Sequence, residues 1–222
     1  MPLVRTLRAY PAYLFDLDGT IVHTAPDIES ALNHSLSVYK LATVDETITR
    51  QWVGQGAKVL IQKALDHQGS PDTDSSQLLK TFLDYYEHHI ADKSAPYPGV
   101  EETLNHLKTR GAKLAVVTNK MAHLAHPLLE KLNLTQYFTE IVSGDTLSKA
   151  KPNADPALYT CAKLQVETTE ALFVGDSLTD VKCARAACCP IVCVNYGYSQ
   201  GIKPSNLGAD QVINSIRELI MD

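Results

Sequence analysis

The chain has 222 residues, with 20 Lys and Arg against 25 Asp and Glu, a formal net charge of −5. A hydrophobic fraction of 45% and a charged fraction of 20% suit one or two globular domains; they exclude a disordered, collagenous or short disulfide-stapled chain. The longest nearly uncharged apolar stretch, residues 186–194, is interrupted by Pro190, so no segment approaches the about 20 apolar residues of a bilayer span.

Residues 12–15 predict a short buried strand that ends in Asp16-Leu17-Asp18-Gly19-Thr20. Helices follow. In 26–39, Ile28, Ala31, Leu32, Leu36 and Tyr39 share one face, and Pro26 suits a first helical turn. Thr43 and Glu46 are spaced as a capping box for a helix stopping near Gly54. Leu60, Ile61, Ala64 and Leu65 mark the next helix, and Leu79, Phe82, Leu83, Tyr86 and Ile90 another. No strand is expected between about residues 21 and 92.

Beyond Pro98-Gly99 the rhythm becomes helix–strand alternation. Strands are expected at 113–117, 140–143, 171–174, 191–194 and 211–213, with helices near 100–110, 121–131, 154–164 and 178–187 and a short one at the end. Such alternation predicts a parallel sheet covered on both faces. The simplest architecture is one α/β core split by a helical insertion after its first strand.

Charge excludes some partners. Residues 21–95 hold six Lys and Arg against ten Asp and Glu, a balance of −4. Neither part of the chain is a basic surface for nucleic acid. The five cysteines, Cys161, Cys183, Cys188, Cys189 and Cys193, include no C-x-x-C. They read as small buried residues of a reduced protein rather than a zinc site. The start of the chain carries Arg5 and Arg8 and no long apolar core, so no secretory signal is expected and a cytoplasmic location is.

Ligands of open parallel sheets sit beyond the carboxyl ends of the strands. Those ends supply Asp16 and Asp18, then Thr118 and Asn119, then Lys149 and Lys151, then Asp176, Ser177 and Asp180. Asp16 and Asp18 are two apart, so strand periodicity points them to one side. A D-G hairpin turn would require a second alternating strand, and a helix follows instead. Lys151 precedes Pro152 on extended backbone at a helix entry, with Lys149 as a rival. Asp180 lies one turn after Asp176, where it could also cap a helix beginning at Ser177. Three crowded carboxylates repel one another, and a hard divalent cation relieves that; oxygen-only ligation favours Mg²⁺ over zinc.

Taken together, Asp16-Leu17-Asp18-Gly19-Thr20, Val117-Thr118-Asn119-Lys120, Lys151-Pro152 and Gly175-Asp176-Ser177-x-x-Asp180 resemble the four ordered motifs of haloacid dehalogenase-superfamily phosphatases. Ala25-Pro26-Asp27, residues 53–57, Pro98-Gly99-Val100 and Tyr196-Gly197-Tyr198 resemble the phosphoglycolate phosphatase branch. One departure is His23-Thr24 where the branch usually has Asp-Ser. The resemblance implies a Rossmann-like parallel-sheet core at 1–20 and 93–222 and an all-helical cap at 21–92. It implies hydrolysis of a small phosphorylated metabolite, 2-phosphoglycolate first, by a monomer or homodimer independent of nucleic acid and membrane. Asp16 would be the nucleophile and Asp18 the acid and base. Mg²⁺ would be held by Asp16, Asp176 and the carbonyl of Asp18, with Asp180 orienting the metal site or reaching a metal-bound water. Thr118 and Asn119 would hold phosphoryl oxygens and Lys151 would offset charge. Gly19, Thr20, Gly54 and Gly56 would lie against substrate, and Arg50 or Lys58 would meet a substrate carboxylate. Sugar phosphatases, nucleotidases, pyrophosphatases and phosphoglucomutases share this core. A phospho-aspartate signalling module or a binding protein is the alternative of another class. His123 and His126 are expected on a helix surface rather than as a metal pair.

Overall fold

The computed structural model describes residues 8–70 and 73–220. The expected core boundaries at 1 and 222, and Arg5, lie outside the described residues. Six parallel strands form one sheet in the order β5-β4-β1-β6-β7-β8. They are β1 (Ala12–Phe15), β4 (Lys113–Val117), β5 (Glu140–Val142), β6 (Ala171–Gly175), β7 (Ile191–Val194) and β8 (Gln211–Ile213). Period-two alternation sends Tyr13 and Phe15 into one apolar layer and Ala12 and Leu14 into the other. Both faces are covered, which is why β1 reads as an unbroken apolar run.

The central strand β1 pairs with β4 on one side and β6 on the other, with Phe15 level with Val116 and Val174. Strand order reverses there, so the carboxyl ends of β1, β4 and β6 border a crevice at the switch point. Four helices follow β1 in succession: α1 (Ala25–Val38), α2 (Glu46–Trp52), α3 (Ala57–Gln68) and α4 (Ser75–His88). α1 packs on α4, burying Ile28, Leu32 and Leu36 together with Leu78, Phe82 and Tyr86 in a layer continuous with the Tyr13–Phe15 face. The remaining helices α5 (Val100–Thr109), α6 (Ala122–Lys131), α7 (Asp155–Leu164) and α8 (Leu178–Ala186) follow the expected alternation. No helix of the described residues is long and apolar enough to cross a membrane.

Four local expectations change. A two-residue strand, β2 (Val22–His23), opens the block expected to be free of strands and pairs antiparallel with β3 (Ala95–Pro96). Two residues are too few to display a period. α2 is capped by Asp45, whose side chain accepts from the Ile48 N–H at 2.8 Å, and it ends at Trp52. An Asp immediately before the helix supersedes the Thr43 box, and Glu46 instead faces His23 at 3.3 Å. The terminal helix is a single 3₁₀ turn, Ile216–Leu219. Cys188 is exposed, whereas the other four cysteines are buried. It sits at φ 60° in the turn after α8, outside the packed face.

Candidate active site

The edge of the sheet at the switch point carries the polar residues of the motifs. Asp16 follows β1 directly, and its N–H donates to the Val174 carbonyl at 2.9 Å. The Lys151 ammonium lies 2.7 Å from Asp16 Oδ1 and 2.7 Å from Asp180 Oδ1. Burial opposes its charge, but Asp16 and Asp180 outweigh burial and hold the ammonium above its ordinary value. Lys149, the rival, is exposed and faces Asp155 at 3.6 Å.

Asp176 follows β6 and is buried. Its Oδ1 accepts from the Thr20 hydroxyl at 3.2 Å, and its Oδ2 accepts from the Tyr198 N–H. Asp180 makes the cap that the sequence allowed. Its Oδ2 accepts from the N–H groups of Asp176 and Ser177 and from the Ser177 hydroxyl, closing a capping box at the start of α8. Its other oxygen holds Lys151. One carboxylate therefore sets both the turn that carries Asp176 and the cation beside Asp16.

Asp16, Asp176 and Asp180 each offer an oxygen within 4.8 Å of the others. Burial, then the charge of Asp180, pushes the Asp16 carboxyl up to about 7 against the pull of Lys151. Asp176 is raised well above its ordinary value by burial and by Asp180 and Asp16. Lys151 alone thus undercompensates the group. The donor set is all oxygen, which fits a hard divalent cation such as Mg²⁺.

Asp18 is turned differently. Its Oδ1 meets the buried Lys120 ammonium at 2.8 Å, and Lys120 also donates to the Tyr86 hydroxyl at 2.9 Å. Thr118 directly follows β4; its N–H donates to Val142 O and its hydroxyl oxygen accepts from the Lys120 N–H at 3.1 Å. Both side-chain hydrogens of Asn119 go to carbonyls, those of Gly54 at 3.1 Å and Lys151 at 2.9 Å. Asn119 therefore ties the α2–α3 loop to the lysine segment.

A cavity of about 380 Å³ opens over these groups. Asp16, Asp18, Thr118, Asn119 and Lys151 line its floor, and Gly54, Gly56, Lys58, Leu60, Phe82 and Tyr86 line the helical side. Gly56 caps α3 at φ 87°, a conformation side chains disfavour. Gly19 and Thr20 turn toward Asp176 rather than the cavity wall. A methyl at Gly19, itself at φ 87°, would overlap Asp176 Oδ2 and lie 2.8 Å from Tyr198 Cδ2. Of the two cations expected to meet a substrate carboxylate, Lys58 borders the cavity. Arg50 instead donates to the carbonyls of Tyr196 and Gly197 at 2.9 and 3.2 Å. His123 and His126 are exposed on α6, and His123 faces Glu87 at 3.2 Å.

Three residues escaped the sequence reading. Lys120 stood within a quoted motif without a role, Tyr86 looked like core, and Tyr198 lay in a segment noted only for likeness. The Tyr198 hydroxyl accepts from the first N–H groups of α1, Thr24 and Ala25, both at 2.9 Å. It has one hydrogen left for His23 Nδ1 at 2.8 Å. That assigns the His23 proton to Nε2, the nitrogen facing Glu46. Burial outweighs Glu46 and, with Arg50, holds the His23 pKa below its ordinary value.

A family model described as haloacid dehalogenase-like hydrolase matches residues 13–194. A phosphoglycolate phosphatase of Nitrosococcus oceani is 40% identical over 209 residues, covering 93% of each chain. One from Agrobacterium fabrum is 41% identical over 211 residues, covering 94% of this chain and 90% of its own. The crystal structure of a predicted phosphoglycolate phosphatase from Haemophilus somnus superposes with a TM-score of 0.91. It is 32% identical and covers 96% of this chain and 98% of its own.

Proposed function

The chain belongs to the haloacid dehalogenase-like hydrolases, and from that we propose that it hydrolyses phosphate monoesters through an aspartyl-phosphate on Asp16, with 2-phosphoglycolate as substrate. The observation that carries this reading is the Lys151 ammonium, 2.7 Å from the Asp16 carboxylate, at the floor of a cavity that Asp18 also lines. We take residues 21–92 as a cap domain on a core of 1–20 and 93–222. Names of relatives support the substrate, and so does Lys58, a cation on the helical wall suited to a carboxylate.

Asp16 attacks phosphorus and the bond to the leaving alcohol breaks. Asp18 protonates the departing alkoxide, then takes a proton from the water that attacks the aspartyl-phosphate. Lys151 offsets charge on the phosphoryl oxygens. The Thr118 hydroxyl hydrogen is available to a phosphoryl oxygen. With the Asn119 amide already engaged, any donation from Asn119 falls to its backbone N–H. Gly19 and Thr20 serve by holding Asp176, and Gly54 and Gly56 shape the wall above the reacting group. Mg²⁺, held by Asp16, Asp176 and the Asp18 carbonyl, would offset repulsion between the nucleophile and a phosphate dianion. Asp180 acts by orienting Lys151 and the Asp176 turn. The cap helices exclude water and read the leaving group.

The test is phosphate release from 2-phosphoglycolate, sugar phosphates, nucleotides and pyrophosphate, with Mg²⁺ and with EDTA. Mg²⁺-dependent release with 2-phosphoglycolate preferred is expected. Lys58→Met should raise KM for 2-phosphoglycolate more than for an uncharged alkyl phosphate. Preference for another ester would reassign the substrate; no release from any would remove the reading.

A further inference from the structure

Lys120 has no part in the mechanism above, yet it is among the most enclosed cations of the described residues, with a side chain 5% exposed. Three contacts fix its ammonium: Asp18 Oδ1 at 2.8 Å, the Tyr86 hydroxyl at 2.9 Å, and the face of the Tyr86 ring, 4.9 Å from its centroid. Its backbone is pinned as well. The N–H donates to Thr118 Oγ1 at 3.1 Å, and the carbonyl accepts from the Gly144 N–H at 2.8 Å. The ammonium therefore projects from the ends of β4 and β5 toward a fixed point.

Two lysines thus divide two neighbouring carboxylates. Lys151 takes Asp16 and Lys120 takes Asp18. Asp16 and Asp18 are only two residues apart, and without separate cations they would compete for one. Tyr86 differs in origin from every other member of the group, because it belongs to α4 in the helical layer. Through its hydroxyl and its ring face, that layer touches the Asp18–Lys120 pair.

We propose that Lys120 is a positioning residue that holds the Asp18 carboxylate for proton transfer, and that Tyr86 makes this setting depend on the cap helices lying over the site. The inference rests on the reading of Asp18 as acid and base. If α4 moves away, Lys120 loses its hydroxyl and ring contacts and keeps only Asp18, so the acid is aimed only when the site is covered. This confines proton transfer to the covered site.

The experiment compares two esters in Lys120→Met, Lys120→Arg and Tyr86→Phe. 2-Phosphoglycolate leaves as an alkoxide and needs a proton. 4-Nitrophenyl phosphate leaves as a stable phenolate and needs none. Lys120→Met should lower kcat on 2-phosphoglycolate about 10²-fold, the scale of lost general acid–base catalysis. Its KM and the inhibition constant of inorganic phosphate should stay within about threefold, and the single-turnover burst of 4-nitrophenolate should fall less than about tenfold. Lys120→Arg should restore part of the loss. Tyr86→Phe, which keeps the ring and deletes the hydroxyl, should show the same split at about three- to tenfold. It carries the test if Lys120→Met fails to fold.

Equal losses on both esters, or a large rise in the phosphate inhibition constant, would overturn the proposal and make Lys120 a structural or direct phosphate-binding cation. Asp18→Asn tests the reading beneath. It should abolish 2-phosphoglycolate turnover and keep the burst. If it does so while Lys120→Met and Tyr86→Phe behave like wild type, the positioning role alone falls. If Asp18→Asn leaves 2-phosphoglycolate turnover intact, the acid–base reading falls with it.

Discussion

Lys151 Nζ lies 2.7 Å from Oδ1 of Asp16, although 135 positions separate them in the chain, and both groups are buried. The pair sits beside two further carboxylates that it only partly neutralises. Asp16 is thus held in surroundings that oppose its own ionisation, pushed up to about 7 by burial and then by Asp180. If Asp16 is the nucleophile, as proposed, that stress exchanges stability for reactivity.

Asp16→Asn separates the two. The amide keeps the shape and deletes the charge, so turnover should fall by at least about 10³-fold. Stability should move the other way. A carboxyl whose pKa is raised on folding costs stability once pH exceeds its unfolded value of about 4. At neutral pH without divalent cation, Asp16→Asn should therefore melt at the same temperature as wild type or higher. Scanning calorimetry in EDTA beside a phosphate-release assay checks both. Turnover within tenfold of wild type would end the nucleophile assignment.

Mg²⁺ should raise the melting temperature, because a ligand bound only by the folded state stabilises by mass action. At a hundred times Kd the gain is about 2.7 kcal/mol, about 5–10 °C for a chain of this size. Asp176→Asn should lose most of that shift while still folding, since the amide oxygen can accept from the Tyr198 N–H while the amide nitrogen donates to the Thr20 hydroxyl. A full Mg²⁺ shift in Asp176→Asn would move the metal away from this group.

His23 predicts a pH dependence of stability. Its pKa is lowered in the fold, mainly by burial. Below its unfolded value of about 6.5 the unfolded chain binds a proton that the folded chain resists, so stability falls as pH drops through about 6.5 toward the lower folded pKa. Glu46, Arg50, Tyr97 and Tyr198 face the ring. His23→Asn retains an acceptor for Tyr198 and cannot titrate, so its melting temperature should change less than wild type between about pH 7 and 5.5. The difference between the two proteins removes the opposing contribution of the raised carboxyls Asp16 and Asp176. Parallel curves would mean that His23 titrates normally.

The order of strands and helices was legible in the sequence because burial has a period. Apolar runs such as residues 113–117 and 171–174 mark strands covered on both faces, and glycines and prolines mark their ends. Parallel strands put their carboxyl ends on one edge, so the motif positions Asp16, Thr118 and Asp176 could be expected there from local pattern alone. A period says that a residue is buried, but not what it meets.

Partners were decided by tertiary structure. Lys149 and Lys151 are equal in composition and nearly so in position, yet only Lys151 reaches Asp16. Arg50 and Lys58 both looked like cap cations, and the loop at Tyr196 and Gly197 claimed Arg50 through two carbonyls. Tyr86 fits the apolar face of α4 as well as any core residue, and only the approach of α4 to the segment after β4 gives its hydroxyl a lysine. The two short strands at Val22 and Ala95 exist because the chain leaves and re-enters the core side by side. Sequence determined which residues would be buried at which edge. The close packing of segments far apart along the chain decided which charge meets which, because ion pairs and hydrogen bonds act over a few ångströms and carry no period of their own.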